Sequence, residues 1–342
     1  MTAPVVLRCD AGEHIGAGHL VRSLALGEGL VGCGARALLL TPPLPDAWRR
    51  MIADRDVELL EVPGLAPGRV STQLLVEAVG TVPRAVVLDG YAFGAEAIEP
   101  LAARGTLVTM ICDHGENLGA DVVIDPNLSA DPGRYDATPL RLIGPRYALL
   151  RKEFRRPGPR GPAGGRPRVL VCLGGSATAA LVPRLTRALA ASGSAIEVRV
   201  IGNPHDRVSP QAPPPTSGME IHWLEPRPSL VDELLTADLA LLAAGGVRFE
   251  AARCGCPMVL GILADNQVAD AQAFATAGAA VLAGWWKQAD PPALGRTIRS
   301  LIDHPAKREA LAARAAEIVD GRGAERAARK LLAATRQQET RP

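Results

Sequence analysis

Directly after its first apolar run the chain reads "CDAGEHIGAGHLVRSLAL", residues 9–26. The order of residue types puts Asp10 at a strand end, Gly16 and Gly18 in a turn, and His19 and Arg22 at a helix start. A histidine there suits a proton acceptor near neutral pH, because the positive end of the helix dipole disfavours the imidazolium. Glycine at 16 and 18 lets the backbone pass close to a bound group. A dinucleotide loop would continue as G-x-G-x-x-G, and here Val21 stands where the third glycine belongs. The motif therefore points to proton transfer beside a ligand rather than to a cofactor cradle. A polar cap with a packing glycine would explain the loop taken alone.

Three further loops carry residues of useful chemistry. In "LDGYAFG", residues 88–94, Asp89 and Tyr91 leave an apolar run, and the tyrosine could stack on a sugar or cover the edge of the core. In "CLGGSAT", residues 172–178, the amides of Gly174 and Gly175 and the Ser176 hydroxyl could cradle a diphosphate at a helix N-terminus. The longest constellation is "LLAAGGVRFEAARCGCPMVLGILADNQ", residues 241–267. Its amides from Gly245 through Gly246, Val247 and Arg248 can face phosphate, with the Arg248 side chain assisting, and Glu250 can accept both vicinal hydroxyls of a ribose. The helix dipole would by itself favour a glutamate in that first turn, but it does not account for the "ADNQ" beyond the next strand. The "CGC" at 254–256 has metal-ligand residue types, yet one intervening residue and no second Cys or His pair nearby favour buried thiols over zinc.

The elements that must position these loops repeat twice. "VVLRCD", "RALLLTP", "AVVLDG", "TLVTMICD" and "DVVIDPN" are short continuous apolar runs ending in Asp, Gly, Pro or Asn, as strands buried on both faces of a parallel sheet do. Between them, "HLVRSLALGEGLVGCG" and "GAEAIEPLAARG" have helical spacing and stop at glycine. "RRPGPRGPAGGRP", residues 155–167, reads as a linker. The pattern then restarts with "RVLVCLGG", "IEVRVIG", "EIHWLEP", "LALLAAGG", "PMVLGI" and "AAVLAG". The expected fold is α/β, with two doubly wound Rossmann-like parallel sheets: residues 1–154 carry His19, 155–167 link, and 168–342 bind nucleotide. The Arg- and Ala-rich end forms terminal helices with a solvated basic face, which can pack back on the first domain.

Composition narrows the classes. With 342 residues, 47% apolar content and a net charge of +2, the chain buries ample core. Few aromatics and near-neutral charge argue against a nucleic-acid surface, and no apolar run reaches the ~20 residues of a membrane helix. Six cysteines mostly within apolar runs, and an opening "MTAPVVLRCD" without a signal-like segment, make a reducing cytoplasm the expected compartment.

In their order, "GAGHLVRSLAL", "LDGYAFG", "CDHGENLGADVVIDPNL", "IGPRYALLRKEF", "RVLVCLGGS" and "EAARCGCPMVLGILADNQ" resemble the UDP-sugar hydrolases of pseudaminic acid biosynthesis, which act on UDP-2,4-diacetamido-2,4,6-trideoxy-β-L-altropyranose. The resemblance runs from about residue 5 to 285. That family is related to GT-B glycosyltransferases of the lipid II N-acetylglucosaminyltransferase type. The resemblance implies a GT-B fold with a cleft between its domains and UDP held mainly by the second. It matches His19 to the family's catalytic histidine; Asp10 and Tyr91 on the same rim are further catalytic candidates, and Gly16, Gly18, Arg22, Asn266 and Gln267 are expected at the sugar. Two departures bear on nucleotide or sugar identity: Ala177 stands where the family usually has Asp, and Gly246, Val247 and Arg248 replace small polar residues.

The expected reaction is attack of water on the anomeric carbon of a nucleotide sugar, with His19 as general base and backbone amides stabilising the departing diphosphate. Such a leaving group needs no strong acid, unlike the alkoxide of an ordinary glycoside. Neither metal nor cofactor is required, although Asp10, Asp89 and Asp113 on one rim could bind a cation. The competing expectation is a glycosyltransferase using the same donor with an acceptor hydroxyl or amine. A nucleotide-binding protein without chemistry, and a UDP-sugar 2-epimerase, fit the motifs less well.

Overall fold

The computed structural model describes residues 3–12, 15–112, 118–161, 165–174, 178–202 and 218–339, without the side chains of 178–180 and 339. Contacts divide the chain into two units, Met1–Arg155 with Gly321–Pro342, and Arg156–Asp320.

The first unit opens with β1 (Val5–Cys9), α1 (Gly18–Gly32), β2 (Ala37–Thr41), α2 (Asp46–Ala53), β3 (Glu58–Glu61), α3 (Thr72–Val79) and β4 (Ala85–Asp89). It continues with α4 (Ala95–Ala102), β5 (Leu107–Ile111), β6 (Val122–Asp125) and β7 (Leu140–Ile143). All seven strands are parallel, in the order β3-β2-β1-β4-β5-β6-β7. The five continuous apolar runs become β1, β2, β4, β5 and β6, each buried along its whole length. No continuous apolar run marks β3 or β7. Both are edge strands, "ELLE" and "LRLI", partly exposed and interrupted by charge, so a pattern tuned to two-sided burial passes over them.

The second unit holds β8 (Arg168–Cys172), α5 (Thr178–Ala191), β9 (Glu197–Ile201), β10 (Glu220–Leu224), α6 (Val231–Thr236), β11 (Leu239–Ala243) and α7 (Val247–Arg253). After these come β12 (Met258–Ile262), α8 (Val268–Thr276), β13 (Val281–Trp285), α9 (Pro291–Asp303) and α10 (Pro305–Ile318). Its six strands are parallel, in the order β10-β9-β8-β11-β12-β13. Residues 156–161 of the linker belong to this unit, and Arg160 donates to the carbonyls of Leu234 (2.8 Å) and Ala237 at the end of α6. Such a cation at a helix C-terminus satisfies carbonyls the helix leaves open.

The final helix, α11 (Gly323–Glu339), returns to the first unit. Ala324, Ala327, Ala328 and Leu331 join the core formed by α1 and β1. A Cβ at Gly29 of α1 would lie 2.6 Å from the Ala324 carbonyl oxygen. Glycine inside a helix costs about 1 kcal/mol relative to alanine, and here the backbone contact between α1 and α11 requires it. Among the described residues no helix is long and apolar enough to cross a membrane.

Candidate active site

In each sheet the strand order reverses once, between β1 and β4 and between β8 and β11. Ligands of open parallel sheets bind at the carboxyl ends of strands beside such a reversal. Cys9 of β1 pairs with Asp89 of β4, so the loops that carry Asp10, His19 and Tyr91 emerge side by side.

Asp89 is the hub of this rim. Its Oδ1 lies 2.7 Å from His19 Nδ1 and 2.6 Å from Arg22 Nη2, while Arg22 Nε lies 2.9 Å from both carboxylate oxygens. The Ser23 hydroxyl donates to Oδ2 at 3.1 Å. All three donors come from one turn of α1, which begins at Gly18. Arg22 Nη2 also stands 3.0 Å from His19 Nδ1. An ionised carboxylate has no proton to give, so Nδ1 must be the donor to Asp89, and Arg22 donates to the carboxylate rather than to the ring. His19 is thereby held in one tautomer, with Nε2 as its acceptor. Burial would push the Asp89 carboxyl up, but the Arg22 guanidinium and the His19 ring outweigh it and hold Asp89 below the usual carboxylate range.

Tyr91 is 56% exposed, and its ring stands edge-on to the His19 ring at 4.7 Å and 75°. Arg22, expected at the sugar, is instead committed to Asp89. Asp10, expected among the catalytic groups, is buried, paired with Arg8 Nη2 at 2.8 Å and accepting from the Gly68 amide at 3.0 Å. Gly16 adopts φ +85°, and its amide donates to the Gly12 carbonyl at 2.8 Å. At Gly18, which has no positive φ, a Cβ would meet no heavy atom within 4 Å among the described residues. Asp113, third of the rim carboxylates, lies outside the described residues.

In the second unit Gly174 follows β8 with φ +84° and is exposed, while Gly175, Ser176 and Ala177 lie outside the described residues. Gly245 and Gly246 close the turn after β11, and Val247 opens α7. Glu250 is buried in the first turns of α7, close enough to the β8 end for its charge to help raise the Cys172 thiol, after burial, to about 12. Arg248, expected near phosphate, points inward. Its Nε lies 2.6 Å from Asp270 Oδ2 of α8, and its Nη1 donates to the carbonyls of Ala244 and Gly245 at 2.8 and 2.7 Å. It shapes the 244–246 turn from behind. Gln267 accepts from the Leu263 amide at 3.0 Å, and its Nε2 lies 3.9 Å from where a Cβ at Gly245 would be. Asn266 is exposed beside it. Cys254 and Cys256 are buried, and burial pushes their thiols up to about 12 and about 11.

No protein-family model matches the chain, and no curated protein matches it in sequence. Solved structures are similar over nearly the whole length. MurG of Acinetobacter baumannii superposes with a TM-score of 0.65 at 16% identity, covering 96% of this chain and 99% of that one. The chain has the GT-B fold. The glycosyltransferase of kitacinnamycin gives a TM-score of 0.68 at 19% identity, over 98% and 99% of the two chains. The spinosyn rhamnosyltransferase SpnG, complexed with thymidine diphosphate, gives 0.66 at 17%, over 97% and 100%. At these identities the similarity establishes fold.

Proposed function

We propose that this protein is a glycosyltransferase that takes its sugar from a nucleoside diphosphate sugar. The observation that carries the reading is the His19 Nδ1–Asp89 contact of 2.7 Å at the strand reversal of the first unit, in a fold whose structural neighbours include two named glycosyltransferases, one of them holding thymidine diphosphate.

In the reaction the acceptor hydroxyl gives its proton to His19 Nε2, its oxygen bonds to the anomeric carbon, and the anomeric carbon–oxygen bond to diphosphate breaks. The nucleoside diphosphate leaves from the opposite face with the electron pair. Asp89 keeps the imidazole in the accepting tautomer and stabilises the imidazolium that forms. The second unit supplies the donor site: the amides of Gly174, Gly175, Ser176, Gly245, Gly246 and Val247 for diphosphate, Glu250 for ribose, and Asn266 and Gln267 for the sugar.

Hydrolysis is the second reading, favoured by the ordered motifs shared with the UDP-sugar hydrolases. It uses the same base on water. Purified protein incubated with UDP-, dTDP-, GDP- and CDP-sugars, with and without alcohols and amines, separates the two by the mass of released nucleotide and of product. Nucleotide release that depends on an acceptor supports transfer. Equal release without one supports hydrolysis, and no release from any donor contradicts both.

A further inference from the structure

Arg8 and Asp10 form a buried ion pair that the proposed chemistry does not use. Arg8 sits inside β1 between Leu40 and Leu88 of its neighbours, where a charge is costly unless its whole fork is satisfied. Besides Asp10, its Nε donates to the Arg69 carbonyl and its Nη2 to the Ala66 carbonyl, both at 3.0 Å. Asp10 accepts from the Gly68 amide. The pair thus grips the 66–69 loop, which precedes α3.

The same two side chains bear on the loop after β4. The Arg8 guanidinium carbon lies 5.1 Å from the centre of the Phe93 ring. A Cβ at Gly90 would collide with the Asp10 carboxylate, and a Cβ at Gly68, which has φ +69°, would collide with the Ala92 carbonyl. The two loops therefore meet across the ion pair. They also line one crevice of about 240 Å³, with Pro67 and Arg69 from one and Ala92 from the other. Tyr91 lies between Gly90 and Ala92, and its ring is the one that stands edge-on to His19.

We propose that Arg8 and Asp10 are positioning residues: they lock the 66–69 loop against the 90–93 loop and so fix the Tyr91 ring beside His19. The consequence for turnover rests on the proposed function above. The placement of Tyr91 does not, and it is read without any substrate.

The protein has six histidines, and the His19 ring signals are identified by their loss in His19→Asn. A neighbouring aromatic ring displaces such signals, so Tyr91→Ala should move them. Gly68→Ala, which forces the loops apart, should move them in the same sense and add nothing in the Tyr91→Ala background. Arg8→Lys keeps the charge beside Asp10 but cannot reach both carbonyls, and should reproduce the shift. His19 signals that stay at the parent position in both variants overturn the proposal. So does failure of both to fold, which would make the pair a folding element. In turnover, Gly68→Ala should lower kcat/KM about tenfold in the parent and less than about twofold in Tyr91→Ala, because coupled sites are non-additive. Equal losses contradict the proposal, whereas a parent that releases no nucleotide contradicts only the proposed function.

Discussion

His19 and Asp89, seventy residues apart in the chain, are joined Nδ1 to Oδ1 at 2.7 Å at the carboxyl ends of two paired strands. The contact sets the tautomer, and the tautomer decides whether the ring can accept a proton. Asp89→Asn tests this directly. An amide can donate to Nδ1 and leave the proton on Nε2, so turnover should fall by about a hundred to ten thousand fold, the usual contribution of a positioned base, while nucleotide affinity stays near the parent value. Turnover within a few fold of the parent would detach Asp89 from the chemistry.

Asp89 also makes stability depend on pH. Its carboxyl is lower in the folded protein than in the unfolded chain, because Arg22 and His19 outweigh its burial. The pair therefore contributes its full stability above about pH 4, the unfolded value, and loses it as the pH falls through the folded value. Denaturant midpoints between neutral pH and pH 3 should drop on the acid side, with a shallower drop in Asp89→Asn. Parallel profiles would show that other carboxylates carry the acid sensitivity.

The buried Arg248–Asp270 pair of the second unit separates support from ligand contact. Arg248→Ala leaves Asp270 buried and uncompensated, which typically costs about 3–5 kcal/mol. Arg248→Met combined with Asp270→Leu should recover most of the lost midpoint and much of the nucleotide affinity. An Arg248→Ala protein that melts like the parent yet binds nucleotide tenfold or more weaker would return Arg248 to the phosphate.

Glu250→Ala should cost charge-assisted hydrogen bonds of about 1.5–3 kcal/mol each, raising KM for the donor at least tenfold. A 2′-deoxyribose donor should lose much less in the mutant than in the parent. Equal losses in both would place the ribose elsewhere.

How far these sites could be read from sequence follows from what each depends on. Continuous apolar runs mark the five strands of the first sheet that are buried along their whole length, and the runs of the second half mark all six strands of its sheet, including the partly exposed edges β10 and β13. The edge strands β3 and β7 escape because each is four residues long and its charged residues leave no apolar run longer than two. Rim residues were legible as strand-end residues, and His19, Asp89 and Tyr91 could each be named. Their partners were not. Arg22 read as a sugar contact and Arg248 as a phosphate contact because a guanidinium in a loop motif looks available until the fold brings a carboxylate to it. For Arg22 that carboxylate is on the neighbouring strand. For Arg248 it is on the next helix, past a strand. Ser23, third donor to Asp89, carried no signal at all, being one small polar residue in an apolar helix.

The base itself is the centre of the account, and His19→Asn is the substitution that isolates it, since it preserves polarity and approximate shape but cannot take a proton at neutral pH. The decisive measurement is the rate of nucleoside diphosphate release from the preferred donor by parent and His19→Asn, alongside nucleotide affinity and melting temperature for both. General-base catalysis by His19 predicts matching affinity and melting with release slower by about a hundred to ten thousand fold. A His19→Asn protein that melts and binds like the parent and still releases nucleotide at a similar rate would contradict it.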